Sequence, residues 1–284
     1  PPCRPRAGWA ARRLLGFGTV CGFEGRWCSG VATWVVTGAS RGIGRAVAER
    51  VLRDGDRVVA LSRKPDPEGW PAGHADRVLA LAADVTDPRS LDEAARVIEE
   101  RCGRVDVLVN NAGLHRGGKV SRLPREDWDA VLATNLTGPL EVTRRLLPLL
   151  GEGASIVNVG AVVGLRGFPG DAAYAASKAG LSGLTQVLAV ELAPRGVRAN
   201  LVIPGLVDTE MTSQLSARAR QRIVDAIPLG RAAAESEIAE VICWVARATY
   251  MTGAIVPVDG GLLATFGGTT APRAGAGTGP SGDR

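Results

Sequence analysis

The sequence predicts a doubly wound α/β domain: a mainly parallel sheet covered by helices on both faces. Two observations carry this. Short apolar, β-branched runs alternate with segments of helical periodicity, and the runs are apolar throughout, as strands buried on both faces must be. A glycine-rich turn also follows the first run and opens the first helix. At 284 residues the chain is long enough to bury one large core.

The elements follow in order. Ala32–Thr37 reads as the first strand and stops at Gly38, and residues 42–53 follow as a helix. Residues 57–61 form the next strand. Residues 78–82 and 105–109 repeat the pattern, with a helix over 88–101 between them. A long helical region covers 125–150 and is expected to break around Gly138-Pro139, because proline lacks the N–H that a helix interior needs. Residues 155–159, 198–202 and 255–258 complete the strands, and residues 171–194 read as a helix rich in Ala, Leu and Val. No internal repeat or linker appears, so one domain is expected over residues 31–266. Residues 1–30 carry Arg4, Arg6, Arg12, Arg13 and Arg26 against the single acid Glu24. They read as a poorly ordered extension, with an organelle presequence as the alternative. Residues 267–284 are rich in Gly, Pro, Thr and Ser and read as a disordered tail.

Composition removes several function classes. The net charge is +5, but Lys occurs only at 64, 119 and 178 and the arginines are scattered, so nucleic-acid binding is not expected. Five cysteines (Cys3, Cys21, Cys28, Cys102, Cys243) with no CxxC argue against a disulfide framework or a zinc site. No apolar run reaches the roughly 18 residues of a membrane span. His74 and His115 read as lone surface histidines.

Two stretches carry chemistry. Thr37-Gly38-Ala39-Ser40-Arg41-Gly42-Ile43-Gly44 lies at a strand-to-helix junction, where glycines allow a tight turn and the helix N-terminus attracts a pyrophosphate. Gly38, Ser40, Arg41, Ile43 and Gly44 are the candidate contacts. At the end of the second strand an acid would bond the 2′-hydroxyl of NAD; here stand Ser62-Arg63-Lys64. With Arg41 nearby, Ser62 and Arg63 favour a 2′-phosphate, hence NADP(H). The second stretch is Tyr174-Ala-Ala-Ser-Lys178. Four apart on a helix, Tyr174 and Lys178 share a face, and the ammonium is expected to pull the phenol below its usual value of about 10. A phenol so tuned exchanges a proton with a carbonyl or alcohol.

TGASRGIG at 37–44, NNAG at 110–113, Asn135 within Ala133-Thr134-Asn135-Leu136, YAASK at 174–178 and Pro204-Gly205-Leu206-Val207-Asp208-Thr209 occur in the order of the short-chain dehydrogenase/reductase family. The chain resembles its 3-oxoacyl-[acyl-carrier-protein] reductases and related carbonyl reductases over roughly residues 32–264. Residues 227–231 and 250–261 strengthen that likeness. The resemblance implies a Rossmann-type fold and NADPH-dependent reduction of a ketone, with 3-oxoacyl thioesters of fatty-acid or polyketide type as the leading substrates. It implies that Asp84 and Val85 edge the adenine and that Asn111, Ala112 and Gly113 line the ribose side. Pro204, Gly205, Val207 and Thr209 would hold the nicotinamide end. Tyr174 would protonate the substrate oxygen, Lys178 would bond the ribose, and Asn135 would hold a water that links Lys178 to solvent. Arg195 marks a position where such reductases dock a carrier protein, with Arg144 and Arg145 adding to the patch; an ordinary solvated arginine is the alternative. A homotetramer and a cytoplasmic location follow from the same likeness, or the mitochondrial matrix if residues 1–30 are a presequence.

One position departs from the pattern. Alignment of residues 156–164 places Ala161 where the family has a serine that bonds the substrate carbonyl. Losing one such donor costs about 10²–10³ in turnover. The chain then reads as a slow reductase, as one whose substrate brings its own hydrogen bond, as a Ser→Ala variant, or as a silent NADP(H)-binding protein. Ser155, at a strand's start, and Ser177, on the helix, are poorly placed to substitute.

Overall fold

The computed structural model describes residues 30–66, 69–71 and 73–265, so the expectations for residues 1–29 and for the tail fall outside it. Seven strands form one all-parallel sheet: β1 Thr33–Thr37, β2 Arg57–Ser62, β3 Val78–Ala82, β4 Val105–Asn110, β5 Leu150–Val159, β6 Arg198–Pro204 and β7 Ile255–Val258. They lie in the order β3-β2-β1-β4-β5-β6-β7. Seven helices accompany them: α1 Gly42–Arg53, α2 Pro88–Cys102, α3 Arg125–Leu132, α4 Gly138–Leu146, α5 Ala172–Leu192, α6 Ala217–Ala226 and α7 Glu235–Arg247. No described helix is long and apolar enough to cross a membrane.

Strand alternation sets the layers. Trp34 and Val36 of β1 face a core with Val47 and Val51 of α1 and Ile238 and Ile242 of α7. Val35, between them, faces the other way, toward Leu91 and Ile98 of α2, Val142 of α4 and Leu188 of α5. Each face of the sheet therefore has its own apolar layer, which is why the strands read as continuous hydrophobic runs. The order reverses between β1 and β4, and a crevice opens outside the carboxyl ends of strands at such a point.

Three details differ from expectation. Backbone at Gly138-Pro139 stays helical, but the preceding Ala133–Thr137 widens to a π turn, in which the Gly138 N–H reaches the Ala133 carbonyl. Pro139 has no N–H to return to the Asn135 carbonyl four residues back, and the wider turn absorbs that loss without ending the helix. Leu150 belongs to β5 rather than to a helix, so β5 starts earlier than expected; Gly151 and Gly153, poor strand formers, mask it in the sequence. Helices α6 and α7 add to the expected set.

Candidate active site

The crevice between β1 and β4 is a cleft of about 310 Å³. Its lining joins almost every position singled out above: Gly38, Ser40, Arg41, Ile43, Ser62, Arg63, Asp84, Val85, Asn111, Ala112, Gly113, Tyr174, Lys178, Pro204, Gly205, Val207 and Thr209, with Ala161 among them. Gly44 and Asn135 stand behind the lining.

At the nucleotide end the parts bind one another. The Thr37 hydroxyl accepts from the N–H groups of Asn111 and Ala112, both at 3.0 Å. In return the Asn111 amide donates to the carbonyls of Thr37 (2.9 Å) and Gly38 (3.2 Å). Thr37, which opens the glycine-rich motif but was given no role of its own, is the clasp between β1 and β4. This packing, as much as ligand approach, demands glycine. A Cβ on Gly44 would lie 2.4 Å from both the Gly38 oxygen and the Asn111 amide nitrogen. Gly38 adopts a positive φ of 68°.

The residues present fit a dinucleotide. Helix α1 has no capping side chain and no acid in its first turn, which leaves its N-terminal N–H groups directed at the cleft for an anion. Asp84 is held below the usual carboxylate range: burial works to raise it, but hydrogen bonds from the Thr86 hydroxyl and N–H and the charge of Arg63 outweigh that. Arg63 thus stands close to Asp84 at the adenosine end. Arg41 is committed elsewhere: it pairs with Glu210 at 2.5 Å, both side chains about two-thirds exposed. Gly138 carries the helix against Val85, where a Cβ would come within 2.9 Å of the valine methyl.

At the reacting end, α5 presents Tyr174 and Lys178 to the cleft. The Lys178 ammonium is buried, donates to the Val159 carbonyl at 2.7 Å and lies 5.7 Å from the centre of the Tyr174 ring. Burial opposes the expected depression of the phenol: it pushes Tyr174 up to about 12, with the charge of Asp171 adding to the rise, and pushes Lys178 down to about 8.

Asn135, fully buried in the π turn, is tied on three sides. Its Oδ1 accepts from the Leu114 N–H at 2.7 Å, and its Nδ2 donates to the Leu114 carbonyl (2.9 Å) and the Ser177 hydroxyl (3.1 Å). It fixes the segment after β4 against α5. Ser177 in turn donates to the Tyr174 carbonyl at 2.7 Å. Ser155 is fully buried and, like Ser177, does not line the cleft. Neither stands in for a donor at Ala161.

One expectation needs refinement. His115 is a surface residue, as expected, but not a lone one: its ring stands edge-on to Tyr174, 5.1 Å between centroids. Arg195 spends its guanidinium on the carbonyls of Leu147 and Leu150, both at 2.9 Å, which ties the end of α5 to the start of β5. Arg144 pairs with Glu141, and Arg145 with Asp92 and Glu141. Arg195 and Arg144 remain exposed while making these ties.

A family model described as "Enoyl-(Acyl carrier protein) reductase" matches residues 38–263. With the parallel sheet, the glycine turn and the Tyr174–Lys178 pair, this establishes that the chain belongs to the short-chain dehydrogenase/reductase family. It is 39% identical over 252 residues to a 3-oxoacyl-[acyl-carrier-protein] reductase of Thermotoga maritima, covering 84% of this chain and 98% of that one. Carbonyl reductase family member 4 of Danio rerio is 41% identical over 231 residues, covering 80% and 96%. A crystal structure from Brucella melitensis titled a short-chain dehydrogenase/reductase, glucose/ribitol dehydrogenase, superposes with a TM-score of 0.76 at 34% identity, covering 81% and 96%. The chain is thus of the oxidoreductase class.

Proposed function

We propose that this protein uses NADPH to reduce a ketone, with 3-oxoacyl thioesters, free or on a carrier protein, as the substrate class. The observation that carries this is Tyr174 beside a buried Lys178, both lining one end of a nucleotide-sized cleft. When bound, NADPH supplies the hydride to the carbonyl carbon. As that carbon is reduced its oxygen becomes an alkoxide, a stronger base than a phenolate, so proton transfer from the neutral Tyr174 runs downhill. The Lys178 ammonium steadies the phenolate left behind. Gly38, Ser40, Ile43 and the N-terminus of α1 would hold the pyrophosphate. Asp84 and Val85 would edge the adenine, with Asn111, Ala112 and Gly113 along the ribose side and Pro204, Gly205, Val207 and Thr209 at the nicotinamide end. Ser62 and Arg63 support a 2′-phosphate, with Arg41 joining them if it releases Glu210. Through Leu114, Asn135 positions the edge of the cleft.

Ala161 supports a second reading, a silent NADP(H)-binding protein, because no hydroxyl there meets the substrate oxygen. Steady-state NADPH oxidation with an acetoacetyl thioester separates the two. Measurable turnover that falls by about 10²–10⁴ in Tyr174→Phe, the usual worth of a general acid, supports the reductase. Tight NADPH binding with no turnover, even with serine restored at 161, supports the silent protein. Outward-facing Leu140 of α4 and Val187 and Val190 of α5 are exposed, which fits a helix-paired homotetramer; light scattering tests that expectation.

A further inference from the structure

His115 and Asp171 belong to segments far apart in the chain that the fold brings together against Tyr174. The Gly118 N–H donates to the Gly170 carbonyl at 2.7 Å, and Gly118 and Asp171 form a parallel bridge. This bridge seats the His115 Nε2 at 2.9 Å from Asp171 Oδ1. The imidazole meets the Tyr174 ring at 80° between planes. Gly117 closes over it, where a Cβ would lie 3.3 Å from the His115 Cε1. The histidine is thus held in one pose, although its side chain remains 35% exposed.

Its place matters more than its rigidity. Tyr174 lines the nucleotide cleft and His115 does not, so His115 touches the tyrosine from outside the volume that the cofactor would fill. A ketone reaching Tyr174 from beyond that volume would meet the imidazole. An ionised carboxylate only accepts hydrogen bonds, so Nε2 carries its proton toward Asp171, and Nδ1 has no partner among the described residues. The Asp171 hydrogen bond raises the imidazole above its ordinary range; burial opposes this and the Asp171 charge adds to it. The other ionisable groups beside it are Tyr174 and the adjacent Arg116, itself paired with Asp127 at 2.7 Å.

We propose that His115, oriented by Asp171, binds a second oxygen of the substrate, a carbonyl or carboxylate close to the ketone that Tyr174 protonates. This rests on the ketone-reductase reading and deepens it, since a 3-oxoacyl group carries such an oxygen two carbons from the ketone. When protonated at both nitrogens, a state the Asp171 hydrogen bond favours, the ring donates from Nδ1. It would anchor the substrate beside a position where Ala161 offers no donor.

The test compares the unaltered protein with His115→Phe, which keeps an aromatic ring against Tyr174, and with Asp171→Asn. NADPH oxidation is followed with an acetoacetyl thioester and with cyclohexanone, which has no second oxygen. In His115→Phe, kcat/KM for the thioester is expected to fall about tenfold to a hundredfold more than for cyclohexanone, mainly through KM, the range of a hydrogen bond to a charged group. Asp171→Asn is expected to fall between. Equal losses on both ketones, or no loss, would overturn the proposal, because a merely structural role would not distinguish them. If the unaltered protein reduces neither ketone, the reductase reading fails instead. Calorimetric titration of the thioester then decides the histidine: binding about tenfold weaker in His115→Phe supports it, and equal affinity, or no binding by either, overturns it.

Discussion

At the nucleotide end of the cleft, residues hold one another through main-chain groups; at the mouth, they do so through side chains from distant segments. Asn111 reaches the carbonyls of Thr37 and Gly38, and Thr37 reaches two backbone N–H groups. At the mouth, Arg220 pairs with Asp208 and His115 with Asp171. A main-chain clasp admits few residue types at fixed spacing, because the backbone geometry repeats wherever the clasp is used. A side-chain bridge needs only some complementary pair, wherever the loops bring one together.

The comparison breaks most sharply at Gly44. In Gly44→Ala the new Cβ meets backbone oxygen and the Asn111 amide at 2.4 Å, neither of which can move without opening the clasp. The expected cost is about 1–3 kcal/mol of stability, read by thermal unfolding, with NADPH affinity reduced more than tenfold by fluorescence titration, roughly 1.4 kcal/mol or above. Normal binding would mean that the clasp is not what shapes the cleft. At the mouth the opposite sign is expected. Ala161→Ser restores a donor and should raise turnover of an acetoacetyl thioester by up to about a hundredfold while leaving NADPH affinity unchanged. A smaller effect is expected from Arg63→Ala, which should weaken NADPH relative to NADH by about tenfold, in keeping with the loss of one charge-assisted contact. An unchanged preference would move the 2′-phosphate to Arg41 and make the Glu210 pair its competitor.

The same contrast explains what could be read from the chain. Gly38, Gly44, Asn111, Tyr174 and Lys178 stood out because turn geometry and helical spacing prescribe them, and the structure brings all five to one place. The strands were legible because each face of the sheet has its own apolar layer. Thr37 was hidden because a threonine ending a strand satisfies β propensity whether or not its hydroxyl clasps a neighbour. His115 gave no signal, since its partner lies 56 residues away in the chain. Spacing placed Lys178 a turn from Tyr174, but it could not weigh that charge against burial.

That a half-buried, un-ionised phenol waits at the cleft is the claim on which the mechanism depends. The chain has two tyrosines, so Tyr250→Phe leaves Tyr174 alone to be titrated by phenolate absorbance. The account expects no ionisation until pH approaches about 12, where burial places the group. A midpoint below the free-phenol value of about 10, with the fold intact by circular dichroism, would show that Lys178 overcomes burial and would contradict it.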